Sequence, residues 1–234
     1  MNKILGFEKL SLVDYDGYVA CTIFTGNCNF RCPFCHNSSL VLEHNDMQGL
    51  DKNEILKYLD GRKKMIDAVC ISGGEPTLYK DLYSLIKEIK EMGFLVKLDT
   101  NGSNYNALKY LIDNNMIDYV AMDVKNCLRR YNETIGVLNA SNNLIENVLK
   151  CIKLLQENRV DYEFRTTLVK EFHNLEDIYE LKELLKGSKK LFLQHFVDRG
   201  TCIKQGLHEI SLEEAEKFKE ILEEEIENVY LRGY

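Results

Sequence analysis

The alternation of two kinds of segment limits the fold of this chain more than any other feature. Six short runs are rich in β-branched and aromatic residues: YVACTIFTG (18–26), AVCISGG (68–74), LVKLDTNG (95–102), YVAMDVK (119–125), YEFRTTLV (162–169) and KLFLQHFV (190–197). Between and after them lie segments of helical period. One carries Leu82, Leu85, Ile86, Ile89 and Met92, a second Leu108, Leu111 and Ile112, a third Leu144, Val148, Ile152 and Leu155. A fourth, with Leu175, Ile178, Leu181, Leu184 and Leu185, follows Asn174 as an N-cap, and the last opens with the capping-box pattern Ser211-x-x-Glu214. These leucine stripes read as core. Strand followed by helix predicts right-handed βαβ units, hence an α/β fold with a parallel sheet. Six units are fewer than the eight of a closed barrel, so pattern alone leaves a doubly wound open sheet and a partial barrel both open. In either, ligands sit at the carboxyl ends of the strands.

The length of 234 residues, 45% hydrophobic, suffices for one sizeable core, and no repeat or Gly/Ser/Pro linker divides it, so a single domain over 1–234 is expected. A net charge of -7 without a basic stripe argues against nucleic acid as a partner. The opening MNKILGFEKLSLVDYDG has no long apolar core of a signal peptide, and no run approaches a membrane span, so a cytoplasmic location without membrane attachment is expected. The acidic run EEAEKFKEILEEEIE reads as a solvated helix face.

Unusual residues cluster where ligands should sit. After the first run comes Cys28-x-x-x-Cys32-x-x-Cys35, and after the second Gly73-Gly74-Glu75-Pro76-Thr77. The third ends in Asp99-Thr100-Asn101-Gly102, the fourth in Asp123-Val124-Lys125; the fifth carries Arg165-Thr166-Thr167 and the sixth Gln194-His195. Ordinary turns account for Asn101-Gly102, but not for acid, lysine, arginine and thiols on successive strands. The convergence points to an enzyme.

Of eight cysteines only 28, 32 and 35 cluster, and in a reducing compartment thiols or metal ligands are expected rather than disulfides. Three thiols at this spacing suit one helix face, or a structural zinc site completed by His36, but no second ligand pair follows. They also suit an iron-sulfur cluster with one iron lacking a protein ligand, an open position at which something else binds.

CNFRCPFC and the downstream GGEPTL resemble the paired signatures of the radical S-adenosylmethionine (SAM) superfamily. LDTNG, AMDVK, FRTT, LQHF and a terminal LRG narrow the resemblance to the glycyl-radical-enzyme activases, and within them to the activating proteins of anaerobic ribonucleoside-triphosphate reductase. The resemblance implies a partial (β/α)6 barrel with parallel strands, in which Cys28, Cys32 and Cys35 hold a [4Fe-4S] cluster whose fourth iron is chelated by SAM. It implies that Phe34 packs near the adenine, where ordinary core packing is the alternative, and that Gly73 and Gly74, with Glu75 of the same motif, let backbone approach the methionyl amino group. Asp99, Asp123 and Lys125 match positions around SAM and a monovalent cation, the alternative being an ion pair among themselves. Arg165 is the candidate for the methionyl carboxylate, since guanidinium binds carboxylates bidentately. Gln194 and His195 compete for a place near the ribose. His36, His173 and His208 read as structural or surface residues, and Cys202 as an incidental thiol.

The implied activity is reductive cleavage of SAM to a 5′-deoxyadenosyl radical, which removes the α-hydrogen of a glycine in the reductase; the implied electron donor is flavodoxin or ferredoxin. Three other readings compete with it. One is an activase of another glycyl-radical enzyme, such as pyruvate formate-lyase. The second is a small-molecule radical SAM enzyme such as a 7-carboxy-7-deazaguanine synthase, and the third a non-catalytic zinc-stabilised binding module. Only Cys70 lies between Cys35 and Gly73, so a second, ferredoxin-like cluster is not expected.

Overall fold

A computed structural model describes residues 3–138 and 141–234. Eight strands form one sheet in chain order: β1 (Ile4–Ser11), β2 (Ala20–Thr25), β3 (Ala68–Gly73), β4 (Leu95–Thr100), β5 (Tyr119–Asp123), β6 (Asp161–Leu168), β7 (Leu191–His195) and β8 (Val229–Arg232). The β1–β2 pair is antiparallel and every later pair parallel. No ladder among the described residues joins β8 back to β1, so the sheet is open. The six expected strands are β2 to β7. Sequence reasoning missed β1 and β8, the two edges.

The helices are α1 (Ser38–Leu42), α2 (Lys52–Asp60), α3 (Leu82–Glu91), α4 (Tyr105–Asp113), α5 (Tyr131–Thr134), α6 (Asn142–Gln156), α7 (Leu175–Leu185) and α8 (Leu212–Leu222). Most of the expected leucine stripes are buried, though Leu175 is exposed and Met92, Leu144 and Leu184 are only partly covered: Leu82, Leu85, Ile86 and Ile89 of α3 join Val69 and Ile71 of β3 and Val96 and Leu98 of β4 in one core. Burying such side chains contributes about 1.5–3 kcal/mol each. On α8, Ala215, Phe218 and Leu222 face that core while Glu213, Glu216 and Glu220 stay exposed, as the acidic run predicts.

Alternation gives the strands two different faces. Val96 and Leu98 are fully buried in the core, whereas Lys97 and Asp99 point to the opposite face with Asp123 and Arg165 of the next two strands. That second face is therefore polar and charged. The loop between β1 and β2 supports it at the strands' N-terminal ends: the Asp14 carbonyl accepts from Lys97 Nζ, and the Asp14 carboxylate accepts from Thr22 Oγ1 at 2.6 Å.

Helix α7 starts as expected at Asn174, whose side chain accepts from Asp177 N–H while Asp177 accepts from Asn174 N–H. The fully buried Asp177 also pairs with Arg129 at 2.9 Å and Arg130 at 3.3 Å, tying α7 to the turn before α5. Asp177→Ala removes the half of the capping box that accepts from Asn174 N–H and leaves two guanidinium groups without this partner. It is expected to lower stability by about 3 kcal/mol, read as an earlier urea midpoint with the slope unchanged.

Candidate active site

The three-cysteine segment runs from the end of β2 to α1 and is held by backbone contacts on several sides. Asn27 N–H donates to Leu40 O, Arg31 N–H to Ile135 O at 2.8 Å, and Lys204 N–H to Pro33 O at 2.8 Å. Arg31 Nη1 donates to the carbonyls of Cys28 and Phe30, closing the turn from inside. His36 bonds Val197 O, and Ser38 Oγ donates to Thr201 O. The loop after β7, which contains buried Cys202, thus packs over the cysteine segment. At Gly136 φ is +67°, and a side-chain carbon there would collide with the Arg31 carbonyl.

The glycine pair lies beside this segment. Gly73 has φ +114°, and a Cβ on it or on Gly74 would strike the carbonyl oxygens of Thr25 and Asn27 respectively. Gly74 N–H donates to Thr25 O and Glu75 N–H to Asn27 O, both at 2.8 Å. The close approach that demands glycine here is between two protein backbones, which fixes the glycine turn against the start of the cysteine segment.

A cavity of about 260 Å³ opens at the carboxyl ends of the strands. Cys28, Cys32, Cys35, Phe34, Gly73, Gly74, Asp99, Asp123, Lys125, Arg165 and Gln194 all line it. Two expected residues do not. Glu75 is fully buried behind the wall, where its carboxylate accepts from Thr77 N–H, Thr77 Oγ1, Thr100 Oγ1 and Asn101 N–H at 2.6 to 3.1 Å. Burial pushes its carboxyl upward, and these donors work against that shift. His195 faces away; it bonds Gly233 O and Glu209 and packs on the Tyr234 ring. Strand alternation decides between the two neighbours, because His195 shares the side of core residues Leu191 and Leu193 while Gln194 points into the cavity.

The charged wall is a chain of ion pairs. Arg165 donates to Asp123 at 2.7 Å and to Asp99 at 3.2 Å, and Lys125 to Asp123 at 2.9 Å. Burial alone would raise the Asp123 carboxyl, but the Arg165 and Lys125 cations outweigh it and hold the group at about 2. Asp123 holds Lys125, and Asp123 with Asp99 holds Arg165, above their ordinary values against the opposing effect of burial. Asp99 accepts Ser72 Oγ and Arg165 through Oδ2, while its Oδ1 is buried with no hydrogen-bond partner and lies 3.8 Å from Lys97 Nζ. Phe34 touches Phe172 and Phe196, so ordinary core packing accounts for at least part of it. His36 also lines the cavity, where sequence reading placed a structural or surface histidine; His173 is buried and bonded to Lys125 O, and His208 pairs with Glu171 at the surface.

All three motif cysteines are free thiols. Burial pushes Cys28 and Cys32 up to about 12 and raises Cys35 as well, while the Lys125 cation pulls Cys32 and Cys35 the other way. Among the described residues no three His, Cys, Asp or Glu side chains are grouped to hold a single metal ion. Three soft thiols on the wall of a cavity that Lys125 also lines fit the donor set of an iron-sulfur cluster open at one corner.

The radical SAM superfamily model matches residues 22–185, so the chain belongs to that superfamily, and the zinc-module reading falls. It is 38% identical over 194 residues to a Methanocaldococcus jannaschii protein provisionally named glycyl-radical enzyme activating enzyme MJ1227, covering 82% of this chain and 79% of that one. A second protein of that organism, MJ1632, given the same provisional description, is 31% identical over 170 residues, 71% of this chain and 62% of its own length. Among solved structures, Streptococcus suis SuiB bound to S-adenosylmethionine superposes with a TM-score of 0.68 at 18% identity. It covers 88% of this chain, which spans 48% of SuiB, a likeness of fold alone. The partial barrel with parallel strands is thus the radical SAM architecture, and the protein is a radical SAM enzyme whose family uses a [4Fe-4S] cluster and SAM.

Among the described residues no helix is long and apolar enough to cross a membrane.

Proposed function

We propose that this chain activates a glycyl-radical enzyme, the anaerobic ribonucleoside-triphosphate reductase, with Cys28, Cys32 and Cys35 holding the cluster. The observation that carries the activase reading is the 38% identity over most of both chains to the relative of that description. When bound, the cluster and SAM supply a low-potential electron and hydrogen-atom abstraction at carbon. The chain's own residues bind and orient. Arg165, fixed by Asp99 and Asp123, would take the methionyl carboxylate; the two carboxylates would balance the cationic parts of SAM in a partly dry site. Gly73 and Gly74 would present backbone at the cavity wall, Phe34 would flank the adenine and Gln194 the ribose. A monovalent cation beside Asp99 Oδ1 belongs to this reading, because that buried oxygen lacks a donor. Flavodoxin or ferredoxin would deliver the electron, in the cytoplasm.

The test uses the reductase labelled with deuterium at glycine Cα, incubated anaerobically with the reduced, reconstituted protein and SAM in potassium or tetramethylammonium salts. Deuterium is expected in 5′-deoxyadenosine, faster with potassium. SAM cleavage without deuterium transfer would discard the reductase as target and favour another glycyl-radical enzyme or a small molecule.

A further inference from the structure

Asn101 looks like a turn residue in the sequence, but its side chain is directed at the cluster site. Its Nδ2 donates to Cys28 Sγ at 3.7 Å and to Asn29 Oδ1 at 3.0 Å. The orientation of this amide is determined by its other end: Asn101 Oδ1 accepts from Ser103 N–H at 2.9 Å, so the nitrogen must face the sulfur. Its backbone N–H is held by Glu75 Oε2 at 2.7 Å, and Thr100, the residue before it, bonds Oε1 of the same carboxylate. Asn101 is 6% exposed and lines the cavity. A buried carboxylate with four donors is a rigid anchor, and this one serves to place an amide against a sulfur.

Resting on the assignment of the cluster to Cys28, Cys32 and Cys35, we infer that Asn101 tunes the reduction potential of the cluster by donating an N–H···S hydrogen bond to Cys28. Reduction places extra electron density on the cluster and its thiolate sulfurs. A donor to sulfur therefore stabilises the reduced form more than the oxidised form and raises the potential. Phe30 N–H donates to the same sulfur at 3.3 Å, but it belongs to the loop backbone and is invariant to side-chain replacement. Asn101 is a positioning and tuning residue, with Glu75 as its anchor.

The experiment is an anaerobic potentiometric titration of the reconstituted protein without SAM, followed by the electron paramagnetic resonance signal of the reduced cluster, with iron per chain measured on every sample. Asn101→Leu is expected to keep its iron and to lower the reduced-to-oxidised ratio at fixed potential by up to about tenfold, about 59 mV for one electron. Asn101→Asp keeps the shape and the bond from Ser103 N–H but turns an oxygen toward the sulfur, and is expected to shift the same way. It supplies the answer if the leucine variant loses its fold. Asn29→Ala removes the other acceptor of the amide and is expected to leave the potential in place. An unchanged potential in iron-loaded Asn101→Leu or Asn101→Asp, or an equal shift in Asn29→Ala, would overturn the inference. Wild-type protein that takes up no iron would overturn the cluster assignment itself, a failure separate from the first.

Discussion

Cys32→Ala is expected to cut SAM cleavage by more than about 100-fold, beyond the 10- to 100-fold cost of losing an outer-shell partner at a metal site. The chain should nonetheless remain folded. Cys32 is 7% exposed and lines the cavity, but the segment around it is fixed by Arg31 N–H on Ile135 O and Lys204 N–H on Pro33 O, neither of which uses the thiol. Iron and sulfide per chain, 5′-deoxyadenosine by chromatography and the urea midpoint separate these outcomes. The midpoint should move by no more than a small core truncation allows, about 1 kcal/mol.

Arg165→Met should act on both stability and SAM binding. The guanidinium is the shared partner of Asp99 and Asp123, and without it two largely buried carboxylates face one another across adjacent strands, with Lys125 on Asp123 and Lys97, 3.8 Å from Asp99, left to compensate. Breaking such a buried network costs about 3–5 kcal/mol. The pH dependence has a definite sign. Asp123 is held at about 2 against an ordinary value of 3.8, so its contribution is present above about pH 4 and disappears as pH falls toward 2. The stability difference between wild type and variant should therefore be full near neutrality and shrink below about pH 4, as urea titrations at both pH values would show. SAM affinity, measured by equilibrium dialysis on loaded protein, should fall as well.

The six inner strands were legible because their cores are β-branched runs framed by glycine or polar residues, and α7 because Asn174 caps it. The edges were not. β1 carries Glu8 and Lys9 among its apolar residues and exposes Glu8, Lys9 and Leu10 in succession, and β8 is four residues long, too short to show a period. Helix α2, KNEILKYLD, is half charged, and its apolar face shows only once Ile55, Leu56 and Leu59 are seen against the core. At the site, cysteines, glycines and strand-end charges were readable as types. What they touch was not: the glycine turn is demanded by Thr25 and Asn27, far away in sequence, and Glu75 stands behind the wall. The signals for Gln194 and Asn101 were nevertheless present. Two-residue alternation puts Gln194 opposite Leu191 and Leu193, and places Asn101 two residues beyond Asp99 on the cavity side. The amide's contact with Cys28, 73 positions earlier, required the fold.

The most direct test of the account is the electron paramagnetic resonance spectrum of the reduced, reconstituted protein mixed anaerobically with SAM and the anaerobic reductase. A stable glycyl doublet on the reductase, absent with Cys32→Ala, is the predicted result. A wild-type sample that cleaves SAM yet leaves the reductase without a doublet would contradict the proposed target, and one that holds no iron and cleaves no SAM would contradict the site.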